Sequence, residues 1–236
     1  QPPEAGPSRG NRLRPRSGDR GGKITWERAG LLPENVFARL ENYTIPLRDT
    51  DFSITPVNFY NNEYLPGPLT GTLREKTSTY TVSPGEPEYP QFFADIKKLF
   101  IENIYRDVDY QGGFAMKGAK ILGTGDEFKT AEVTFRRPYR DKRGDYDLLI
   151  ARSDVFVIEP EKMYSSKAAV AIYHQDDSIF HSGLQFKYRN GDREVSMLRI
   201  KPGVEQSPYF DTYHDVEIDC EAVYWDMDGE QIDFRS

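Results

Sequence analysis

The chain has 236 residues, 13% of them aromatic and 29% charged, and its formal net charge is −7. This length suits one or two domains with enough apolar material for a core. The acidic balance is unfavourable for binding nucleic-acid phosphates, and no apolar run approaches the roughly 18 residues that a membrane helix needs. We therefore expect no nucleic-acid partner and no transmembrane segment.

Residues 1–23 differ in composition from the rest of the chain. They contain four prolines, five glycines and six basic residues against two acidic ones. Almost no apolar side chain is present to offset the entropy of ordering such a segment. We predict a disordered basic tail over residues 1–23, either a solvated linker, which is the favoured interpretation, or an arm that touches nucleic acid or a membrane. Residues 24–236 are predicted to form one or more β-rich domains.

Three features bear on the extent and the compartment of the protein. The chain begins at Gln1 and ends close to the apolar Ile232 and Phe234, which suggests a fragment of a longer protein. The single cysteine, Cys220, permits no internal disulfide and no cysteine-based zinc site. Asn42-Tyr43-Thr44 matches the acceptor triplet for N-glycosylation, although so short a pattern often occurs by chance. None of these features assigns a compartment.

Two segments leave a helix open as an alternative to strand. Leu31 to Leu40 could hold a short helical turn after Pro33. Between Gln91 and Asp107 the apolar residues recur at helical spacing, but Leu99-Phe100-Ile101 and the residues after it fit consecutive strands equally well. We interpret Gln91–Asp107 as strand and expect at most one short helix in the chain.

Elsewhere apolar residues alternate with polar ones, as in strands with one buried face. Ala131–Arg136 and Leu184–Arg189 follow this pattern, and its longest example runs from Asp215 to Tyr224. In Ala168–Ile172 both faces are apolar, which predicts a strand buried between two layers.

Turn signals agree with antiparallel strands. Asn190-Gly191 and Asp228-Gly229 follow or separate apolar runs, and such pairs suit the positive φ of tight hairpin turns. Between Leu148 and Ile200, apolar clusters recur about every six to eleven residues, as in a sandwich, barrel or β-solenoid. The predicted fold is therefore all-β, with short antiparallel or stacked strands that form a β-solenoid or sandwich.

Several catalytic and cofactor motifs are incomplete. Gly113 to Gly118 has the glycine spacing of a phosphate-binding loop, but Ala119 stands where that loop needs lysine. Gly123-Thr124-Gly125 begins like a dinucleotide fingerprint, but Phe128 replaces its third glycine, so we interpret this segment as a turn. Cys220 lies on the apolar face of its predicted strand and is expected to be a buried, unreactive thiol.

The three histidines, His174, His181 and His214, form no recognised metal-binding motif, although His174 and His181 could meet across neighbouring strands. We expect these side chains at the surface, or in the core with hydrogen-bonding partners. The sequence defines no catalytic, cofactor-binding or metal-binding residue, and we predict no cofactor and no enzymatic activity.

A ladder of acidic residues is the remaining candidate for chemistry. Its members share one face of the predicted strand 215–224: Asp215, Glu217, Asp219 and Glu221. Glycoside hydrolysis requires two carboxylates that flank a sugar, and calcium binds clustered oxygens. In a chain with 38 acidic residues, a solvated strand face is the simpler interpretation.

Aromatic residues near this ladder could form a platform on which sugars stack. They are Tyr209, Phe210, Tyr213 and Trp225. Aromatic side chains in β-proteins belong more often to the core, so we favour a core role for them.

A resemblance to a known family rests on three segments: Ile24-Thr25-Trp26-Glu27-Arg28-Ala29-Gly30-Leu31, Gly112-Gly113-Phe114-Ala115-Met116-Lys117-Gly118-Ala119, and Asp177-Ser178-Ile179-Phe180-His181-Ser182-Gly183-Leu184-Gln185-Phe186-Lys187-Tyr188. They resemble parts of large, uncharacterised envelope-associated β-rich proteins of Bacteroidetes bacteria. The resemblance covers most of the chain beyond Lys23, implies a fragment of an extracytoplasmic protein of the periplasm or cell surface, and supplies no catalytic residue. The short strands predicted from Ala151 to Leu198 are also similar in pattern to the stacked β-rungs of OstA-like lipopolysaccharide-transport domains.

We therefore expect a non-catalytic structural or assembly module of an extracytoplasmic envelope protein, with other domains or envelope proteins as its partners. This hypothesis predicts exposed apolar sheet edges. One alternative is a carbohydrate-binding β-sandwich, whose partners would be glycans. A less favoured alternative is a glycoside hydrolase that uses an acidic pair.

Overall fold

The computed structural model describes residues 21–41, 43–44, 51–76, 87–125, 129–138, 144–174, 177–200 and 207–236. These residues form an all-β structure, which confirms the predicted fold class, with eighteen antiparallel strands in one sheet. The strands are β1 (Gly22–Thr25), β2 (Val36–Leu40), β3 (Asp51–Asn61), β4 (Leu69–Lys76), β5 (Gln91–Ala94), β6 (Leu99–Tyr105), β7 (Val108–Lys117), β8 (Lys120–Thr124), β9 (Ala131–Pro138), β10 (Asp145–Ser153), β11 (Val155–Glu159), β12 (Lys162–His174), β13 (Asp177–Arg189), β14 (Glu194–Arg199), β15 (Tyr209–Asp211), β16 (Val216–Ile218), β17 (Ala222–Asp226) and β18 (Ile232–Arg235).

Much of the predicted tail, residues 1–20, lies outside the described residues, as does Asn42 of the glycosylation triplet. Lys23 pairs with Arg39 of β2. The first strand therefore begins two residues inside the segment that the composition assigns to the tail.

The sheet is assembled in chain order, and several successive strands are two halves of one long, interrupted strand. β10 and β11, for example, are separated by Asp154 alone, and both pair with β12. In the same way β8 and β9 both pair with β7 on one side, while β5 and β6 pair with it on the other. The topology is therefore an antiparallel meander of long strands.

The interruptions divide the sheet into two layers. Layer 1 contains β5, β8, β11, β14, β17 and β18, with residues 113–117 of β7, 162–165 of β12 and 184–189 of β13. Layer 2 contains β6, β9, β10, β15 and β16, with residues 108–112, 168–174 and 177–181 of the same three strands. β1 to β4 extend layer 1 beyond β5. We use the name crease for the line between the layers, which passes through residues 95–98, 112–113, 154, 166–167, 182–183 and 219–221.

The inward faces of the two layers pack against each other and form the core. Phe135 in layer 2 contacts Tyr188 and Phe186 in layer 1, with ring centroids 5.0 and 6.1 Å apart. Tyr105 in layer 2 also packs on Tyr188, and its hydroxyl donates a hydrogen bond to the carbonyl of Lys162 at 2.9 Å. The molecule is thus a sandwich made from a single folded sheet, in which the strands of each layer follow one another in chain order.

Two buried serines satisfy backbone groups where neighbouring strands bend at the crease. Ser153 Oγ accepts a hydrogen bond from the N–H of Val155, and Ser165 Oγ accepts one from the N–H of Lys167, both at 3.2 Å. The two hydroxyls lie 2.7 Å apart. In each case the side-chain oxygen accepts from an N–H two residues further along the chain, at a point where the strand pairing is interrupted.

His181 performs the same task in the next strand. Its Nδ1 accepts a hydrogen bond from the N–H of Gly183 at 3.0 Å, again two residues further on. The ring is buried and packs on Tyr209, with centroids 4.8 Å apart. We refer to Ser153, Ser165 and His181 together as the crease caps.

Tyr110 fills the inner side of the crease in β7, and its hydroxyl donates a hydrogen bond to the carbonyl of Gly113. A Cβ added to Gly112 would lie 2.3 Å from the Tyr110 hydroxyl, and one added to Gly123 would lie 2.5 Å from its ring. These glycines therefore make room for a core tyrosine. The predicted turn at Gly123-Thr124-Gly125 is wrong, because Gly123 and Thr124 lie within β8.

The strands predicted from alternation and from double-sided burial are confirmed. The apolar members of Ala131–Arg136 and Leu184–Arg189 are buried in β9 and β13, and their polar neighbours are more exposed. Ala168–Ile172 lies in β12 between β10 and β13, with four of its five side chains buried. Gln91–Asp107 contains β5 and β6, as the strand interpretation predicts.

The short helical turn expected after Pro33 is limited to residues 33–35, where the N–H groups of Asn35 and Val36 both donate to the Leu32 carbonyl at 3.0 Å. Residues 33–35 form a turn that leads into β2, and the short 3-10 helix lies earlier, at Glu27–Ala29. β2 is held as a strand because it pairs with β1 on one side and with β3 on the other. Tertiary pairing has overridden the local preference.

Both predicted hairpins are present, but neither has a tight two-residue turn. Arg189 pairs with Glu194 across a four-residue loop, in which Arg193 has the positive φ of 51°. The φ of Gly191 lies outside the left-handed region. In the second hairpin Trp225 pairs with Ile232, so the connection around Asp228-Gly229 is also longer than predicted.

The continuous strand predicted from Asp215 to Tyr224 is wrong. Asp215 lies in a turn with φ 52°, and the crease separates β16 from β17. Beyond the crease the buried face contains Val223 and Trp225, whereas Ala222 and Tyr224 are only partly buried. The bend therefore shifts the alternation by one residue.

Candidate functional site

A cavity lies on the outer face of the sandwich, where the crease crosses β6, β7, β9 and β10. Its volume is about 470 Å³. Sheet pairing brings together segments that are far apart in the sequence, because Gln111 of β7 pairs with Glu132 of β9, which in turn pairs with Arg152 of β10. We refer to this cavity as the cationic cleft. Its lining residues are Lys97, Lys98, Gln111, Gly112, Gly125, Lys129, Thr130, Glu132 and Arg152.

Positive charge dominates the cationic cleft. Among the described residues, three lysines and Arg152 line it, with Glu132 as the acidic member. Arg152 Nε lies 2.7 Å from Glu132 Oε2, so these two charges largely offset each other. The lysines then make this outer surface a locally positive region of an acidic protein.

A second cavity of about 200 Å³ adjoins the cleft, with Gln111 and Glu132 in the lining of both. Phe100, whose side chain is 55% exposed, forms one wall. Its other lining residues are Asp109, Tyr110, Thr134, Arg136 and Asp147. We use the name outer groove for the two cavities together, which combine an exposed aromatic ring of β6 with polar side chains from β7, β9 and β10.

Arg136 organises the charges at the aromatic end of the outer groove. Its Nε lies 2.7 Å from Asp109 Oδ2 and its Nη1 lies 2.8 Å from Asp145 Oδ2. Burial opposes the guanidinium charge, but the hydrogen bond and charge of Asp109, together with Asp145 and Glu102, outweigh it and raise the pKa of Arg136. The guanidinium remains charged, and Asp109 is thereby engaged in a structural ion pair.

The three histidines do not come together. His174 is the register partner of Asp177, and His181 is opposite Val170, so the two rings do not face each other across the β12–β13 hairpin. His214 lies in the turn after β15. Within the described part of the chain, no group of three or more His, Cys, Asp or Glu side chains could hold a metal ion.

His214 and Asp211 form a local pair at the C-terminal end of layer 2. His214 Nδ1 lies 2.7 Å from Asp211 Oδ2, and the N–H groups of Tyr213 and His214 also donate to this carboxylate. Burial would raise the pKa of Asp211, but these hydrogen bonds outweigh it and hold the pKa below its ordinary value. Asp211 thus acts as the acceptor that closes the turn between β15 and β16.

The acidic ladder does not exist as one strand face, because its strand is broken. Asp219 and Glu221 instead flank Arg199, with oxygen to nitrogen distances of 2.7 and 3.6 Å. Asp215 and Glu217 are exposed to solvent. The four residues therefore do not form the single row of carboxylates on which the glycoside hydrolase alternative is based.

The proposed aromatic platform is divided between core and surface. Tyr209 and Trp225 are buried, which agrees with the favoured core interpretation, whereas Phe210 and Tyr213 are exposed. Cys220 is buried as expected, and burial raises the pKa of its thiol. A protonated, buried thiol is a poor nucleophile.

Sequence reasoning missed the residues of the outer groove. Lys97-Lys98 and Lys129 lie in short connections, and their convergence depends on the pairing of β6, β7 and β9. Phe100 belongs to the apolar run Leu99-Phe100-Ile101, which we interpret as strand without an assignment of its two faces. Its alternation with the buried Ile101 was the available signal for an outward aromatic ring.

Comparison with protein-family models, with curated proteins and with solved structures finds no match to this chain. Among the described residues, no helix is long and apolar enough to span a membrane.

Proposed function

We propose that the chain is a non-catalytic assembly module of an extracytoplasmic envelope protein, and that it docks an extended segment of another domain or envelope protein. The docking surface is the open end, formed by the edge strands β16 and β18. Among the described residues, β16 pairs only with β15, and β18 pairs only with β17. Unpaired edges of this kind are suited to the addition of a strand.

The observation that carries this proposal is the exposure of inward-facing apolar side chains at the open end. Val216 is 44% exposed, although its register partner Asp211 is buried. Phe234 is 36% exposed, although its register partner Val223 is buried. In a sandwich such side chains are normally covered by the next strand.

The opposite end of the sandwich is closed. Trp26 and Phe59 are buried, and their rings meet at 5.0 Å. On the first strand of layer 2, the inward-facing Ile101 and Tyr105 are also buried. The exposed interior at β16 and β18 is therefore a property of one end, which supports a specific docking surface.

Charge indicates the kind of segment that would bind there. Residues 207–236 contain nine acidic residues and one basic residue. Glu217 and Asp219 in layer 2 and Asp233 in layer 1 are exposed near the edge strands. An extended segment with alternating apolar and basic residues would cover the interior and offset this charge. The extracytoplasmic compartment is supported by the family resemblance.

The docking proposal is tested with two synthetic peptides, one alternating valine with lysine and one alternating valine with glutamate. Binding is measured by fluorescence anisotropy, and the site is located by amide hydrogen exchange. We expect the lysine peptide to bind and to protect amides in 216–218 or 232–235.

A matched pair of variants makes the test specific. Val216→Lys should weaken binding of the lysine peptide about tenfold or more, because the substitution removes an apolar contact and adds charge repulsion. Val155→Lys replaces a valine of similar exposure, 42%, away from the open end and should leave binding unchanged. Equal binding by both variants, or no binding of either peptide, would contradict the proposal.

The carbohydrate-binding alternative is favoured by a different observation, the exposed ring of Phe100 beside Gln111 and Thr134 in the outer groove. Aromatic faces stack on sugar rings, and amide and hydroxyl groups bond to their hydroxyls. Screening against a glycan array tests this alternative. Phe100→Ala should abolish any binding found, whereas Phe210→Ala, at a ring that is 45% exposed elsewhere, should retain it.

A further inference from the structure

The outer groove has a charge that stacking on neutral sugars would not require. Lys97 and Lys98 follow one another in the connection between β5 and β6 and both line the cationic cleft. Within the described residues, neither lysine forms an ion pair, whereas Arg152 is engaged by Glu132. Two adjacent, unneutralised lysines at the mouth of a cavity favour an anionic ligand.

The size of the groove indicates more than a simple anion. The cleft alone has a volume of about 470 Å³ and continues past Gln111 into the part walled by Phe100. Volumes of this order are typical of pockets that bind organic ligands with more than one ring. The groove therefore presents a cationic compartment and an aromatic compartment side by side to one ligand.

We infer that the outer groove binds an acidic oligosaccharide, with a carboxylated or sulfated sugar in the cationic cleft and a neighbouring sugar ring on Phe100. This inference rests on the carbohydrate-binding alternative above. Lys97 and Lys98 recognise the anionic substituent as donors, and Gln111, which lines both cavities, bonds to hydroxyls at their junction. The ion pair between Arg152 and Glu132 forms the border of the site.

A nucleic acid would also offer anionic groups and rings, but the rest of the chain opposes it. The net charge is −7, and a long polyanion that leaves the groove would meet this acidic surface. A short oligosaccharide would place its anionic sugar in the cationic cleft alone, with the neighbouring sugar at Phe100 free to be neutral. Acidic saccharides are therefore the ligand class that fits both the local and the overall charge.

The experiment is isothermal titration of the full chain with four tetrasaccharide or oligonucleotide probes of similar length. They are an oligogalacturonate, a heparin-derived tetrasaccharide, a neutral cello-oligosaccharide and oligothymidylate. Inorganic phosphate is titrated separately. We expect at least one of the two acidic saccharides to bind about tenfold more tightly than the neutral one, with an affinity that falls as salt is added.

Variants separate the two halves of the groove. The double variant Lys97→Ala/Lys98→Ala should lower the affinity for the acidic saccharide about tenfold and leave the affinity for the neutral saccharide unchanged. Phe100→Ala should lower the affinity for both the acidic and the neutral saccharide. Lys187→Ala, which removes an exposed lysine from β13 in layer 1, is the matched control and should change neither.

The remaining outcomes discriminate between the inference and the function on which it rests. Neutral saccharide that binds as tightly as acidic saccharide, and depends on Phe100 but not on the lysines, overturns the inference and leaves carbohydrate binding standing. If no saccharide binds, both fail. Phosphate or oligothymidylate that binds as tightly as the acidic saccharides, with the same dependence on Lys97 and Lys98, replaces the inference by a simple anion site or a nucleic-acid site.

Discussion

His181 is held in its uncharged form by the bonds it makes at the crease. Nδ1 accepts the N–H of Gly183, and Nε2 lies 2.9 Å from the carbonyl of Ser207 and therefore carries the ring proton. Burial lowers the pKa of His181, as does the charge of Arg199, and the Ser207 carbonyl opposes them only in part. A second proton would have to sit on Nδ1, directly against the Gly183 N–H.

This arrangement predicts that the fold loses stability as the pH falls through about 6.5, the ordinary histidine pKa. In that range the unfolded chain takes up a proton that the folded His181 does not, so protonation favours unfolding. The stability is fully present above this pH. Urea unfolding at several values between about pH 7.5 and 5.5 measures it.

Removal of the imidazole identifies the source of this pH dependence. His181→Gln keeps an acceptor for Gly183 but has no titrating ring, so its stability should vary less over the same range. His174→Gln, at an exposed position on β12, should keep the slope of the original chain. An unchanged slope in His181→Gln would assign the dependence to another group.

In the loop between β13 and β14, the sequence pattern Asn190-Gly191 points to the glycine as the residue that the turn requires. The structure predicts instead that Arg193 contributes more to stability than Gly191. Arg193 adopts the positive φ and donates hydrogen bonds to the Arg106 carbonyl, to Asp107 and to Asp228 at 2.8, 3.2 and 3.0 Å. A Cβ at Gly191 would meet no atom within 4 Å. Arg193→Ala should cost about 1–3 kcal/mol, and Gly191→Ala less than about 0.5 kcal/mol, as measured by chemical denaturation.

The elements that meet at the crease are joined by the Ser153 and Ser165 hydroxyls, which share a hydrogen bond at 2.7 Å. Ser153→Ala leaves the Val155 N–H without its side-chain acceptor and should destabilise the fold by about 1–3 kcal/mol. Ser165→Ala should act similarly on Lys167. Because the hydroxyls interact, the double variant should cost less than the sum of the single ones.

Chemical denaturation of the four proteins in this double-mutant cycle gives the coupling. Ser196→Ala, at a partly buried serine of β14, serves as the control and should have a small effect. Additive single effects would mean that each serine caps its own strand independently.

How far the elements could be predicted depends on whether they cross the crease. β9 and the layer 1 half of β13 lie within one layer, and alternation in Ala131–Arg136 and Leu184–Arg189 identified them correctly. The segment 215–224 crosses the crease, where the bend exchanges the inward and outward faces. Apolar residues continue at every second position through this bend, with Cys220 buried at the bend itself. The sequence therefore offered no break to detect.

At the scale of the whole molecule, Arg137 connects the two layers near the open end. It lies in β9, and its guanidinium donates to the carbonyls of Met227 and Gly229 in the connection from β17 to β18. Arg137→Ala should release this hairpin and accelerate amide hydrogen exchange in residues 222–235. The cost in overall stability should be about 1–3 kcal/mol, because two partly buried hydrogen bonds from a charged donor are lost.

Arg189→Ala is the control for this prediction, since Arg189 pairs with Asp192 and Glu194 beside its own hairpin. It should leave exchange in 222–235 unchanged. Equal acceleration in both variants would show that the hairpin responds to general loss of charge.

The candidate sites belong to this larger scale, which is why the sequence did not reveal them. Lys98, Lys129 and Arg152 share a cavity only after β7, β9 and β10 pair in register. Exposure of Val216 and Phe234 likewise depends on which strands end the sheet. Alternation predicts which face of a strand a residue occupies, but it does not predict which residues of other strands lie next to it in the folded sheet.

The chain order of the strands has a mechanical consequence. β1 is bonded to β2 alone, and β18 to β17 alone, among the described residues. A tensile force applied to the two termini would therefore load the hydrogen bonds of each terminal strand in turn and peel it from its single neighbour. The sandwich would lengthen under tension by successive release of hairpins, with the crease caps and the interlayer aromatic contacts setting the force at each step.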